Sequence, residues 1–356
     1  MDILTKQRFE TTLSPNARKE PIGKPVPAFG TVTTDHMFIA EYAEGQWVNA
    51  RIMPYQNIPM SPASSVFHYG QAIFEGIKAY KQVDGKVKIF RPDKNWERFN
   101  ISAKRLSMPE VPRELFLDSI SELLKIENLW IPDEEGASMY IRPFMIATEE
   151  LLRVKPSERF LFMVVLSPSA SYYSKPLNIL VSDHYSRAAV GGTGFAKAAG
   201  NYARAMIGQT EANAQGYDQM LWMEVPDYEY IQESGTMNAF FAIGDTLITP
   251  ELDGCILDGV TRDSVIQLVR HLGYKVEERK ISITEVVNAY KNGTLKDAFG
   301  TGTAASVAPF EKVTNRGFEM ILPPVAERPF SPVLKDELDK IKYGQAPDIF
   351  NWMVEI

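Results

Sequence analysis

Lys197 lies in Gly194-Phe195-Ala196-Lys197-Ala198-Ala199-Gly200-Asn201-Tyr202, among small and apolar side chains, and no acid occurs between Asp183 and Glu211. A lysine so placed can lose its hydration, which favours the neutral amine and makes it a nucleophile toward a carbonyl. Taken alone, it also reads as a solvated surface charge. The stretch Leu257-Asp258-Gly259-Val260-Thr261-Arg262-Asp263 leads into a predicted helix, whose first amides lack intrahelical partners and attract anions. Asp258 and Thr261 could equally be plain helix caps. Gly302-Thr303-Ala304 adds small residues and a hydroxyl that allow close backbone approach to an anion. Glu233, in Gln232-Glu233-Ser234-Gly235-Thr236-Met237-Asn238 after a predicted strand, can pair with a protonated ring nitrogen or serve as a turn acid. Together these are the parts that a phosphate-bearing aldehyde requires.

Other chemistries fit less well. Gly300-Thr301-Gly302-Thr303-Ala304-Ala305 matches the dinucleotide pattern G-x-G-x-x-A, but that pattern needs a helix at once, and Pro309 interrupts one. The glycines 191, 192 and 194 precede Lys197 without the Gly-Lys-Ser/Thr of a P-loop, and no G-x-S-x-G elbow occurs. His36, His68, His184 and His271 have no second ligand at metal spacing, so no metal is expected. With 38 basic against 45 acidic residues the formal charge is −7, and no basic stretch suggests nucleic acid. The single Cys255 excludes an internal disulfide and suits a reducing compartment, read as the cytoplasm. No run of about 18 apolar residues implies a membrane span, and the N-terminal residues mix both charge signs, unlike a presequence.

The elements that must hold these residues follow from periodicity and turn signals. Residues 1–30 carry four prolines and read as an extended segment. Strands are expected at 37–42 and 46–53, then a hairpin of 73–80 with 86–90 turning at Asp84-Gly85. Asp93 is expected to cap a helix to Leu106, and 112–125 has helical spacing. Apolar runs 138–146 and 159–166 read as buried strands. In the second half, strands are expected at 177–182, 219–224, 230–232 and 239–243. Helices are expected at 199–214, from Val260 to Gly273, and after the Ser282/Glu285 capping box. Antiparallel strands with intervening helices predict an α+β architecture in two domains: a small one over 31–160, a connection at 161–175, and a large one over 176–356.

Tyr140-Ile141-Arg142-Pro143, Lys197 with Gly200-Asn201-Tyr202, Glu233-Ser234-Gly235-Thr236-Met237-Asn238, Gly259-Val260-Thr261-Arg262 and Gly302-Thr303-Ala304 together resemble the branched-chain amino acid aminotransferases. These are fold-type IV pyridoxal-phosphate enzymes, and the resemblance runs from about Phe29 to Pro309. It implies that Lys197 anchors pyridoxal phosphate covalently and moves the proton between the substrate α-carbon and cofactor C4′. Glu233 would keep the ring nitrogen protonated, and Tyr202 would bond the phenolic oxygen. Arg98, Val260, Thr261 and Thr303 would hold the phosphate, with Thr236 also at the cofactor. Phe29, Tyr69, Tyr140, Tyr172 and Arg142 would line the substrate site, with Thr303 and Ala304 near the substrate carboxylate. Each aromatic also reads as simple core packing.

The resemblance further implies amino transfer between leucine, isoleucine or valine and 2-oxoglutarate, and a homodimer in which Val154 faces the neighbouring subunit's site. A lyase or a D-amino acid aminotransferase on the same scaffold, and a nicotinamide-dependent dehydrogenase using the 300–305 glycines, are the competing readings. Some relatives carry a redox-active Cys-x-x-Cys after the Gly-Thr-Ala turn, where this chain has Ala305 and Ala308.

Overall fold

A computed structural model describes residues 9–173 and 175–356. The chain divides into two compact units. One comprises the described residues through Tyr172 with Ala196–Ala199 and Ile341–Ile356, and the other Tyr173–Phe195 with Gly200–Lys340.

The first unit is built on a nine-stranded sheet in the order Glu10–Thr11, Gln46–Pro54, His36–Ala43, Phe160–Ser169, Ser138–Ala147, Ile77–Lys81, Val87–Phe90, Met353–Glu355, with Ala72–Phe74 also beside Ser138–Ala147. Pairings are antiparallel except for the short contact of Glu10–Thr11. The helices Pro92–Arg105 and Arg113–Ile126 lay Phe99, Leu115, Phe116, Ile120, Leu123 and Leu124 against sheet residues such as Phe38 and Phe162, all in one buried cluster. That burial, more than intrinsic helix propensity, holds two 14-residue helices in place.

Two local expectations fail, each for a physical reason. The run 73–80 is not one strand: it breaks at Glu75-Gly76 into Ala72–Phe74 and Ile77–Lys81. A Cβ on Gly76 would lie 2.5 Å from the Tyr140 hydroxyl, and Glu75, opposite Pro143 in unbroken register, donates its amide to the Pro143 carbonyl at 2.7 Å but receives no bond back, because proline has no amide hydrogen. Asp93 is also not a cap. The N-cap is Arg91, held at φ 49°, and Pro92 starts the helix with its fixed backbone angle, leaving Asp93 to pair with Arg113 at 2.5 Å.

In the second unit, six strands close into a ring: Ile231–Ser234, Gln219–Met223, Leu177–Val181, Ser306–Asn315, Leu295–Gly302 and Met237–Ile243, the last pairing back with the first. Thr246–Thr249 and Lys275–Glu278 extend it, and Phe318–Ile321 pairs with Ser306–Asn315. Most pairs are antiparallel; Leu177–Val181 runs parallel to both neighbours. The helices Ala199–Ala214, Val260–His271 and Ile283–Lys291 stand where the sequence predicts them. Ser282 caps the last by accepting the Glu285 amide at 2.9 Å, whereas the Glu285 carboxylate turns to Arg279, so only half of the capping box forms. The 300–305 glycine pattern is followed by a hairpin turn and a strand. A pyrophosphate would find no helix there, which disposes of the dinucleotide pattern. Among the described residues no helix is long and apolar enough to cross a membrane.

Phe162 is fully buried, with ring centroids of Phe38, Trp47, Phe99 and Phe116 all between 5.6 and 6.1 Å away. Phe162→Ala should therefore cost about 3–5 kcal/mol in a urea titration; a loss below about 1 kcal/mol would mean the cluster closes over the gap.

Candidate active site

Lys197 belongs to the first unit, through the short insertion Ala196–Ala199. Its backbone is fixed on both sides: the amide donates to Ser102 Oγ at 2.8 Å, and the carbonyl accepts from the Phe74 amide at 3.1 Å. The next residue, Ala198, bridges to Ile73. Nζ lies 5.1 Å from the centroid of the Phe74 ring. The acid-free surroundings read from the sequence do not persist in space, because the Lys197 charge acts on Glu75.

Glu75 has no solvent exposure. It forms a two-point pair with Arg98, Nε to Oε1 and Nη2 to Oε2, both at 2.8 Å, and accepts from Asn95 Nδ2 at 2.7 Å. Burial alone would push this carboxyl up. The Arg98 guanidinium, the Lys197 charge and the Asn95 amide outweigh burial and hold it below the usual 4.5. Arg98 itself is 6% exposed, so its orientation is dictated by that acid.

Four of the expected substrate residues join the Lys197 neighbourhood through ring contacts. Tyr140 and Arg142 share one face of the strand Ser138–Ala147, and Arg142 Nη2 donates to the Tyr140 hydroxyl at 2.8 Å. The Arg142 guanidinium lies 4.7 Å from the Phe74 ring that Lys197 also faces. Phe29 stands edge-on to Tyr140 at 4.6 Å and to Tyr172 at 5.0 Å. Tyr69 ends a short helix and donates to the Leu152 carbonyl, while Leu152 is 63% and Val154 80% exposed.

In the second unit Glu233 lies within the strand Ile231–Ser234, not after it, and is buried. Oε1 accepts the Leu257 amide at 2.7 Å, and Oε2 lies 3.1 Å from Arg187 Nε in charge contact without hydrogen-bond alignment. Arg187 Nη2 donates to the carbonyls of Gly194 and Cys255. An added Cβ on Gly194 would sit 2.3 Å from the Cys255 carbonyl oxygen, so only glycine allows this approach. The helix Val260–His271 has Gly259, which carries no side chain, at its N-cap; Asp258 precedes that position and Thr261 lies inside the first turn, so neither is the N-cap residue. Thr303 and Ala304 form the partly buried turn of the 295–315 hairpin, and Tyr202 is half-buried in the first turn of Ala199–Ala214. Thr236 is exposed at the turn between Ile231–Ser234 and Met237–Ile243. Cys255 is fully buried; burial, then Asp253 and Glu224, push its thiol up, away from the reactive thiolate.

Glu75 and Arg187 escaped the sequence reading. A lone acid inside the apolar run 72–80 is the signal for the first, since a charge in a buried strand needs a partner. Glu75→Gln leaves the Arg98 charge buried and uncompensated, and should cost about 3–5 kcal/mol at pH 7. Because the folded carboxyl is held low, that advantage should be complete above the usual carboxyl value and shrink as pH falls through the folded one. Urea titrations of both proteins from pH 7 to pH 3 check this; a pH-independent difference would contradict it.

The chain is 47% identical over 341 residues to "Branched-chain-amino-acid transaminase 1" of Bacillus subtilis (strain 168), covering 94% of this chain and 96% of that one. Among solved structures, the branched-chain aminotransferase of Thermobaculum terrenum in its PLP form superposes with a TM-score of 0.73 at 25% identity, over 89% of this chain and 97% of that one. The branched-chain aminotransferase of the archaeon Thermoproteus uzoniensis, solved with norvaline, shares the fold with a TM-score of 0.74 at 23% identity, over 89% and 99%. Since the model of the family "Amino-transferase class IV" matches residues 72–313, the lysine with its surrounding charges sits in a chain that belongs to the class IV aminotransferases.

Proposed function

We propose that this chain is a pyridoxal-phosphate-dependent branched-chain-amino-acid aminotransferase, reversibly moving the amino group between leucine, isoleucine or valine and 2-oxoglutarate. The observation that carries the reading is Lys197, pinned by its backbone beside the buried Glu75–Arg98 pair in a class IV chain. The donor chemistry fits pyridoxal phosphate: an amine for its aldehyde, a buried carboxylate with a counter-charge for its ring nitrogen, and a helix start with glycine at its N-cap for its phosphate. When bound, that group supplies an electron-withdrawing ring conjugated to the atom that receives the amino group.

In this reading Lys197 is the covalent anchor and moves the substrate α-proton, so one amine serves as nucleophile and base. Glu233 holds a proton on the ring nitrogen, its own place set by Leu257 and Arg187. Tyr202 donates to the ring oxygen. Arg98, the Val260 and Thr261 amides and Thr303 bind the phosphate, and Thr236 belongs to the cofactor side. The Phe29, Tyr140 and Tyr172 rings give an apolar side chain a wall to pack on, Arg142 beside them is the charge that would answer the side-chain carboxylate of glutamate, and a lysine side chain would find only that like charge. Arg142, Tyr69, Thr303 and Ala304 complete the substrate contacts, Arg142 by steadying the Tyr140 hydroxyl.

A homodimer accounts for the exposure of Leu152 and Val154, apolar side chains that a second copy would cover. A cytoplasmic location agrees with the lone buried thiol. No observation favours the lyase or the D-amino acid branch.

The purified protein should show a visible band from lysine-bound cofactor that borohydride abolishes. Lys197→Ala should remove transamination while circular dichroism stays unchanged; retained turnover would refute the assignment. Glu233→Gln should keep most cofactor yet lower kcat by roughly 100-fold. Leucine, isoleucine and valine should each donate to 2-oxoglutarate, with aspartate and lysine poor. Faster turnover of D-alanine than of L-leucine would move the chain to another branch.

A further inference from the structure

Asn238 was no part of the predicted site. It faces Glu233 in register across the antiparallel pair of Ile231–Ser234 and Met237–Ile243, and is 5% exposed. Its Nδ2 donates to the Leu257 carbonyl at 2.8 Å, while Glu233 Oε1 accepts the amide of the same Leu257 at 2.7 Å. Both polar groups of one peptide residue are thus bolted to neighbouring side chains on paired strands. Two residues further, Gly259 is the N-cap of Val260–His271, and a Cβ there would come 2.0 Å from Asn238 Oδ1. The amide therefore meets this segment twice, by a hydrogen bond at 257 and by packing at 259. Only Asp258 separates the two points, so the segment has little slack.

We propose that Asn238 is a positioning residue that fixes, through Leu257 and Gly259, the spacing between the Glu233 carboxylate and the first amides of Val260–His271. The proposal rests on the reading above, in which Glu233 serves the ring end and the helix start the phosphate end of one cofactor. A rigid cofactor needs those two ends at a set separation, and flexible loop residues could not hold it to the few tenths of an ångström that binding of a rigid group demands. An amide is required at 238 because the Leu257 carbonyl needs a donor, whereas an aspartate would set a second carboxylate against that carbonyl and beside Glu233.

The test is a double-mutant cycle on Asn238→Ser and Gly259→Ala, the first removing the donor and the second pushing a methyl into the same amide. Each protein is stripped of cofactor and titrated with pyridoxal phosphate well below its melting temperature. Backbone hydrogen exchange over residues 257–263 is followed in the cofactor-free state. Each single change should weaken pyridoxal phosphate about tenfold, the size of one buried hydrogen bond lost with its acceptor stranded. The double variant should be little worse than the weaker single, since both disturb one clamp. Exchange at 257–261 should quicken in Asn238→Ser, which a change in global stability alone would not confine to that segment. Unchanged affinity and exchange in Asn238→Ser, with weakened binding in Gly259→Ala, would overturn the proposal alone, as would effects that multiply in the double variant. Faster exchange with unchanged affinity in both singles would overturn the placement of the phosphate at the helix start, and the proposal with it.

Discussion

A carboxylate sealed from water has to be answered by a fixed positive charge, and in the first unit that requirement falls on Arg98. Glu75 offers both oxygens to one guanidinium, and a planar two-point pair leaves the arginine little rotational freedom. Arg98 is carried by the helix Pro92–Arg105, and one turn later the same helix presents Ser102, whose hydroxyl donates to the Arg98 carbonyl and accepts the Lys197 amide. Lys197 is thereby referenced to the arginine through a single serine oxygen. Glu75 alternates in step with the buried Ile73 and Ile77, so the pleat that feeds the core also turns this acid inward.

The second unit uses the same pairing with the roles exchanged. There the acid, Glu233, is the group proposed to serve the cofactor, and Arg187 is the support that ties it to the carbonyls of Gly194 and Cys255. Gly194 must be glycine for this, because the Cys255 carbonyl occupies the space of a side chain. The glycines ahead of Lys197, which look in the sequence like a phosphate loop, therefore include one whose contact is structural. Coupling the acid to the backbone of two loops means that neither loop can move without disturbing the charge.

Long periodic segments were readable because burial writes its period into them: Ala199–Ala214 falls on the expected residues, and Arg113–Ile126 is displaced by one. What escaped was set by contacts distant in sequence. Glu75 looks like an ordinary strand residue until Arg98, 23 residues away, is placed beside it, and Gly76 until the Tyr140 hydroxyl, 64 residues away, is seen to fill the space of its side chain. Asp93 satisfies every local rule for a cap, yet the chain enters the helix through Arg91 and Pro92. The strands Thr246–Thr249, Lys275–Glu278 and Phe318–Ile321 are four residues each, too short for an alternation to rise above chance. Among the candidate site residues, ordered motifs pointed to Lys197 and Glu233, whereas their supports Glu75 and Arg187 lie outside every motif and Asn238, though it ends the Glu233 motif, shows its role only through its contacts with Leu257 and Gly259.

The division of the chain has a consequence for how the protein is made. The first unit includes Ala196–Ala199 and Ile341–Ile356, and its sheet is finished by Met353–Glu355 pairing with Val87–Phe90. A ribosome delivers the early strands long before these late pieces, so the first unit waits with an open sheet edge while the second is still being synthesised. Over that interval Val87–Phe90 offers unpaired backbone to any other strand. Synthesis rate and chaperone access would then bear on yield, because the strand that closes that edge is delivered so late.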